Sequence, residues 1–455
     1  RSTLFPYTTL FRSTNLRRFF GYTIPAVIAM WVYSFYTMVD GFFVSMAVGP
    51  MALAAVNISM PFINLLYGVS VLCSMGASSV ISIYLGKGDL KQASAAFMTN
   101  FVVLAVASVV LAVVCLVFTG EISMFLGSTP LLFPYVTSYI GTIFPFVPFF
   151  VLSYYLEICT RTDGFPRLST LAVAVAAVTN IALDYLFVIV FGWGARGAAC
   201  ATGFAQFLST SLLIAHFLAD RGRLAICCFR CSLAYVRRGM KLGLGDSITE
   251  FSVGAVIFLF NRRILAIVGE PGVAGYTVIA YVTTFVLMTA IGIAQGAQPL
   301  VAYYHGRGNA AGCARLLRLA LSGAAVCSVA WFIVAEAFTG AIVSLFIDPA
   351  REYVLYERTV SAFKVYAFSY LFVGVNVVLA TFFSSIERPF FGVIVSVARG
   401  FVVVTIFLFA MSALLGEIGI WLTPTASEAF CTALAFFLFY RLRRERREEV
   451  CAGEL

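Results

Sequence analysis

Six acidic residues stand deep within long apolar runs of this 455-residue chain: Asp40, Glu157, Asp184, Glu250, Glu336 and Glu428. An ionised side chain at mid-bilayer costs roughly 2.5–3.5 kcal/mol even on the lenient insertion scale, so each is a functional candidate by default. Asp184 is the sharpest. Asn180 lies four residues before it, which puts an amide oxygen and a carboxylate on one helix face a turn apart. Asp40 supplies a second carboxylate from another run, and Thr202 a hydroxyl. These are hard oxygen donors of the kind a small cation needs, or a carboxylate pair able to hold one proton. A buried hydrogen-bond network that merely holds three helices together would use the same residues, and residue types alone leave both readings open. Glu157 stands a turn before Arg161 and reads as snorkelling to the interface. Glu336 and Asp246 read as interfacial, and Glu250 as a secondary coupling residue.

Composition says what must position these groups. Hydrophobic residues make up 61% of the chain and charged ones 11%, with a mean hydropathy of +0.98. A soluble domain carries about 25% charged residues. Continuous apolar runs exclude an outer-membrane barrel, whose strands alternate. The runs predict twelve membrane helices: 19–46, 52–85, 93–119, 130–158, 168–191 and 197–219, then 246–268, 273–303, 314–338, 359–384, 390–415 and 418–440. Residues 1–16 lack an initiator Met, repeat Thr3-Leu4-Phe5 as Thr9-Leu10-Phe11, and are set apart as a doubtful extension. The first long run has no cleavage pattern and is expected to stay as a membrane helix. The division expected is a lobe at 17–219, a connector at 220–241, a second lobe at 242–440 and a tail at 441–455.

The net charge of +9 gives orientation rather than a nucleic-acid partner. With the N-terminus inside, inner segments hold Lys87, Lys91, Arg161, Arg167, the basic connector, Arg307, Arg315, Arg388 and the Arg-rich tail. Outer segments hold only Arg196, Arg262, Arg263, Arg351 and Arg358. Both termini are therefore expected to be cytoplasmic. The eleven cysteines show no paired spacing, and Cys227, Cys228 and Cys231 lack the companions of a zinc site.

The chain also repeats itself. Residues 48–89 lie on 268–309 without a gap, matching Gly76 with Gly296, Tyr84 with Tyr304, Gly86 with Gly306 and Gly88 with Gly308. Span two thus falls on span eight in the same orientation, giving parallel repeats about an axis along the membrane normal. The predicted fold is an all-α membrane protein of two six-helix bundles around a central cavity, an architecture suited to rocking between two closures.

These residues carry a family resemblance. Ile24-Pro25, Val39-Asp40-Gly41-Phe42-Phe43-Val44, Met60-Pro61-Phe62 and Gly76-Ala77-Ser78 before Tyr84-Leu85-Gly86-Lys87-Gly88-Asp89 resemble the first two helices of multidrug and toxic compound extrusion (MATE) transporters. Gly292-Ile293-Ala294-Gln295-Gly296-Ala297-Gln298-Pro299 leading to Tyr304-His305-Gly306-Arg307-Gly308-Asn309 is similar to the bacterial branch with DinF-like and MepA-like exporters. The resemblance implies a cation or proton site at Asp40, Asn180, Asp184 and Thr202, with Na+ or H+ as the coupling ion. It also implies a first-helix bend at Pro25. The family's frequent fourth-helix Asn has no counterpart around Ser153-Tyr154-Tyr155, which leaves proton use at least as well supported as sodium.

Aromatic and Met positions that suit organic cations include Tyr33, Tyr36, Met38, Met60, Phe62, Tyr281 and Met288, with Gln295 and Asn376 as polar neighbours. The expectation is an antiporter exporting small cationic or amphipathic compounds from the bacterial inner membrane. It needs no cofactor and works as a monomer among membrane lipid. A flippase of lipid-linked saccharides would want several cavity Arg or Lys, and only Lys364 and Arg399 lie within spans. A non-transporting receptor leaves the duplication unexplained. No enzyme motif is found: the histidines, His216 and His305, form no HExxH pair, and Gly86-Lys87-Gly88 lacks the phosphate-loop pattern.

Overall fold

The computed structural model describes residues 16–48, 50–219, 221–226 and 232–451, with side chains at 40–42, 44–48, 50–54, 57 and 446–451 outside the description. All regular structure among them is helical. The first half runs α1 (Leu16–Val48), α2 (Pro50–Lys87), α3 (Leu90–Val117), a short α4 (Thr119–Phe125), α5 (Phe133–Ile143), α6 (Val147–Thr162), α7 (Pro166–Asp184) and α8 (Ala195–Leu218). The second runs α9 (Leu233–Ile267), α10 (Glu270–Gly306), α11 (Ala310–Ser344), α12 (Tyr353–Ala367), α13 (Tyr370–Ser385), α14 (Pro389–Val397), α15 (Val403–Leu415) and α16 (Glu417–Cys451). Eleven segments are long and apolar enough to cross a membrane, and α12 with α13, bent by 42°, makes a twelfth.

The predicted spans are present in order, with local differences that have physical causes. Span four is broken at Phe144–Phe146 by a 3-10 turn between α5 and α6, where Pro145 and Pro148 remove two amide donors. Span ten breaks at residues 368–369, where Ser369 and Phe372 donate three residues back instead of four. α9 begins at Leu233, inside the stretch read as connector, and α16 continues to Cys451. π-helical stretches follow α7 at Tyr185–Val190 and join α14 to α15 at Ala398–Val402.

The repeat is exact enough to reproduce turns. Gly88 (φ 79°) and Gly308 (φ 69°) end α2 and α10 in the left-handed conformation that glycine adopts without strain. Asp89 and Asn309 follow with nearly identical dihedrals and cap the next helix, accepting from Gln92 N at 3.0 Å and Gly312 N at 2.8 Å. One turn earlier, the halves meet reciprocally. A Cβ on Gly86 would lie 2.1 Å from the Tyr303 carbonyl oxygen, and one on Gly306 would lie 2.2 Å from that of Ile83. Only glycine permits this crossing of α2 and α10 near the end of the bundle that carries most of the Lys and Arg. We refer to it as the basic end.

Candidate functional site

The first half contains a cavity of about 80 Å³. α1 contributes Tyr33 and Tyr36, α2 contributes Tyr67, α6 contributes Tyr154 and Glu157, α7 contributes Val173 and Ala176, and α8 contributes Gln206 and Ser209. Tyr33 stacks on Tyr67 with ring centres 5.5 Å apart, Tyr67 lies 5.2 Å from Tyr154, and Tyr36 meets Tyr33 edge to face at 5.2 Å. Four phenol rings therefore form a continuous wall ending in a carboxylate. Such a pocket suits an organic cation, because the ring faces attract positive charge.

Glu157 departs from its sequence reading. It does not snorkel: it is buried at 6% exposure and receives Arg161 Nη2 at 2.7 Å. Arg161, itself 1% exposed, also donates through Nη1 to Gln295 Oε1 at 3.1 Å, and Gln295 Nε2 donates to the Tyr154 hydroxyl at 3.1 Å. The buried carboxylate is paired with a guanidinium from its own helix, so neither needs the interface. Gln295 comes from α10, so this network ties the second half to the wall of the first-half cavity. Gln298 makes a parallel link, donating to Met75 O at 3.2 Å and Ser79 Oγ at 3.0 Å.

The proposed coupling residues stack beyond this cavity on the same helices. On α7, Asn180 and Asp184 lie one and two turns past Ala176, both buried at 1% and 0% exposure. On α8, Thr202 lies one turn before Gln206, and Asn180 Nδ2 donates to its hydroxyl at 3.2 Å. Thr202 donates onward to Ala198 O at 3.0 Å. The Asn180 side-chain oxygen is buried and accepts no hydrogen bond from any described residue. On α1, Asp40 follows Tyr36 by one turn; its backbone is helical, and its side chain lies outside the described residues. A turn rises about 5.4 Å, so cluster and cavity share three helices at adjacent levels. Pro25 sits lower in α1, its carbonyl accepting from Thr170 of α7 at 2.7 Å.

Other residues singled out by sequence scatter. Glu250 lines a separate crevice of about 20 Å³ with Asp246 and Gln295, where Thr381 donates to Asp246 Oδ1 at 2.9 Å. Met60, Phe62 and Met288 pack against the main core. Met38 is exposed, as is Tyr281, which stacks on Phe346 at 5.8 Å. Asn376 is wholly buried and donates to Glu428 Oε2 at 2.6 Å. Glu336 is half-buried. Cys227, Cys228 and Cys231 lie outside the described residues. Sequence reasoning missed Tyr67 and Tyr154 as cavity walls and Arg161 as the partner of Glu157; the four-residue spacing of Glu157 and Arg161 was the available signal.

A family model described as MatE matches residues 25–186 and 247–411, one stretch in each half. The chain belongs to the MatE family. This places it among transporters, as the twelve spans and the duplication suggest. Among MatE relatives, Multidrug export protein MepA of Staphylococcus aureus (strain bovine RF122 / ET3-1) is 22% identical over 443 residues, covering 95% of both chains. MepA of Staphylococcus saprophyticus subsp. saprophyticus (strain ATCC 15305 / DSM 20229 / NCIMB 8711 / NCTC 7292 / S-41) is 21% identical over 441 residues, again covering 95% of both chains. A MOP superfamily transporter from Pyrococcus furiosus, whose structure is described as having a binding pocket of reverse polarity, superposes with a TM-score of 0.89. It is 20% identical and covers 97% of this chain and 98% of its own. An outward-facing multidrug resistance MATE family transporter gives a TM-score of 0.91 at 20% identity, covering 98% of this chain and all of its own. These likenesses show that the MatE fold extends over essentially the whole chain.

Proposed function

We propose that this chain is an inner-membrane antiporter that exports small cationic or amphipathic organic compounds in exchange for H+ or Na+. One observation carries the reading: an aromatic cavity closed by Glu157 lies one helical turn from Asn180 and Thr202 and two from Asp184 on α7 and α8, with Asp40 one turn past Tyr36 on α1. Movement of α1 or α7 that alters one level alters the other. A cation in the cavity favours the ionised form of nearby carboxylates, and a proton or sodium ion at the cluster neutralises them, so the two compete. The Asn180 oxygen, which accepts from no described residue, suits either a metal cation or a protonated carboxyl, and Thr202 adds a hard oxygen. Pro25, fixed to Thr170, supplies a weak point at which α1 can bend. The basic end faces the cytoplasm by the positive-inside rule, with both termini there.

The drug-export names of the staphylococcal relatives support this cargo. A lipid-linked pyrophosphate cargo gains no support, because it would want several cavity Arg or Lys, and Arg399 is the one basic side chain among the described residues that line the two cavities. The test is export of tetraphenylphosphonium from proteoliposomes under an imposed pH or sodium gradient. Wild type is expected to show flux driven by one of them, and Asp184→Asn to lose at least nine-tenths of it. Gradient-independent flux, or full flux in Asp184→Asn, overturns the reading.

A further inference from the structure

The second half holds a larger cavity, about 130 Å³, chemically unlike the first. Its apolar wall is Phe260, Tyr276 and Tyr366, with Phe260 stacked on Tyr276 at 5.5 Å. Phe260 stands where the repeat offset of 220 puts the counterpart of Asp40. The duplication has therefore replaced an acid with an aromatic wall, and the polar side of the cavity carries Arg399 and Glu428 instead.

Glu428 is fully engaged. Its Oε1 accepts from Arg399 Nε at 2.6 Å and its Oε2 from Asn376 Nδ2 at 2.6 Å, while the Thr432 hydroxyl donates to Asn376 Oδ1 at 3.0 Å. Arg399 is not. It uses Nε alone, and its terminal Nη1 and Nη2 donate to no described residue. The side chain keeps 14% exposure at the cavity it lines. The local backbone brings it there: Arg399 lies in the π-helical stretch, and a Cβ on the next residue, Gly400, would sit 1.8 Å from Ser252 Oγ of α9. An arginine serving only as a structural counter-ion would have its fork turned onto protein acceptors.

We infer that this cavity binds small aromatic carboxylates. The carboxylate docks on the Nη1 and Nη2 donors of Arg399, whose planar fork matches two carboxylate oxygens, and the ring lies against Phe260, Tyr276 and Tyr366. Glu428 holds the empty site near neutrality and fixes the guanidinium plane through Nε. The inference concerns binding alone, so it stands whichever ion drives transport.

The experiment is equilibrium binding of radiolabelled 2-naphthoate to the purified full chain in lipid nanodiscs. Uncharged 2-naphthamide is compared on the same protein. Saturable naphthoate binding is expected in wild type, with naphthamide about tenfold weaker. Arg399→Lys keeps the charge beside Glu428 and loses the fork, and it is expected to weaken naphthoate about tenfold while leaving naphthamide unchanged. Glu428→Gln removes the neighbouring negative charge and is expected to tighten naphthoate severalfold. Equal binding of naphthoate and naphthamide by wild type overturns the inference, as does unchanged naphthoate affinity in a folded Arg399→Lys. So does the absence of saturable naphthoate binding to wild type that unfolds cooperatively. Loss of tetraphenylphosphonium flux would instead count against the antiport reading.

Discussion

A carboxylate removed from water inside a helical bundle needs an opposite charge close by, and Glu157 has Arg161 at 2.7 Å with Gln295 bracing the guanidinium from the other half. Breaking such a pair leaves an uncompensated buried charge, which costs roughly 3–5 kcal/mol, whereas removing both charges costs much less. Glu157→Gln is therefore expected to lower the thermal unfolding midpoint of the detergent-solubilised chain more than the double variant Glu157→Gln with Arg161→Gln does. Additive losses in that cycle would show that the pair is not coupled. The contrast with Asp184 shows what sequence discloses at this scale. The i, i+4 spacing of Asn180 and Asp184 placed them on one face, and both are buried on α7. The fate of Glu157 was not legible, because nearness to a basic loop looks the same in sequence whether the side chain turns outward or inward. The direction is set by Gln295, 134 residues beyond Arg161.

Elements show the duplication most plainly where it is broken. Pro166 and Pro389 each open a helix after turns of matching geometry, with Phe165 at φ −115°, ψ 58° and Arg388 at φ −116°, ψ 57°. Two residues before each proline the first turn has Gly164 at φ 108°, and the second has Glu387 at φ 60°. A non-glycine residue holds that conformation at a cost. Glu387 persists there because its carboxylate clamps the basic end. It sits 3.6 Å from His305 of α10 and pairs with Arg238 of α9, whose Nη1 reaches the Tyr84 hydroxyl of α2 at 3.1 Å. These partners, His305 foremost and then Arg238, pull the Glu387 carboxyl down to about 2. A depressed carboxyl contributes stability that is complete above its unfolded value, near 4.5, and is lost as pH falls towards 2. The difference in unfolding midpoint between wild type and Glu387→Gln should accordingly shrink as pH falls from about 5 towards 2. A difference that grows from pH 5 towards 2 would contradict the clamp. Paired turn motifs with Gly, Asp and Asn were readable in advance; the break at 368–369 was not, since Phe368-Ser369 carries neither proline nor glycine.

At the scale of the whole molecule, two copies of one bundle have kept their crossings and exchanged their cavity chemistry. Glycines at equivalent positions of α2 and α10 meet reciprocally at the basic end, while one cavity offers tyrosines with Glu157 and the other an Arg399 fork with Glu428. Hydropathy, charge asymmetry and the repeat made the twelve-span fold legible, because each is a property of long segments. The cavities were much less so: they are lined from five or more helices each, and 45 Phe and 21 Tyr give too many candidates for residue type to select among.

The Asp184 cluster and the first-half cavity are proposed to compete through the helices they share. Equilibrium binding of tetraphenylphosphonium to the purified chain, measured against pH and sodium concentration, tests it most directly, because linkage requires each ligand to weaken the other by the same factor. In wild type, affinity should fall as pH drops from 8 to 5 or as sodium rises. In Asp184→Asn, that dependence should flatten while binding itself survives. The same pH and sodium dependence in both proteins would contradict the account.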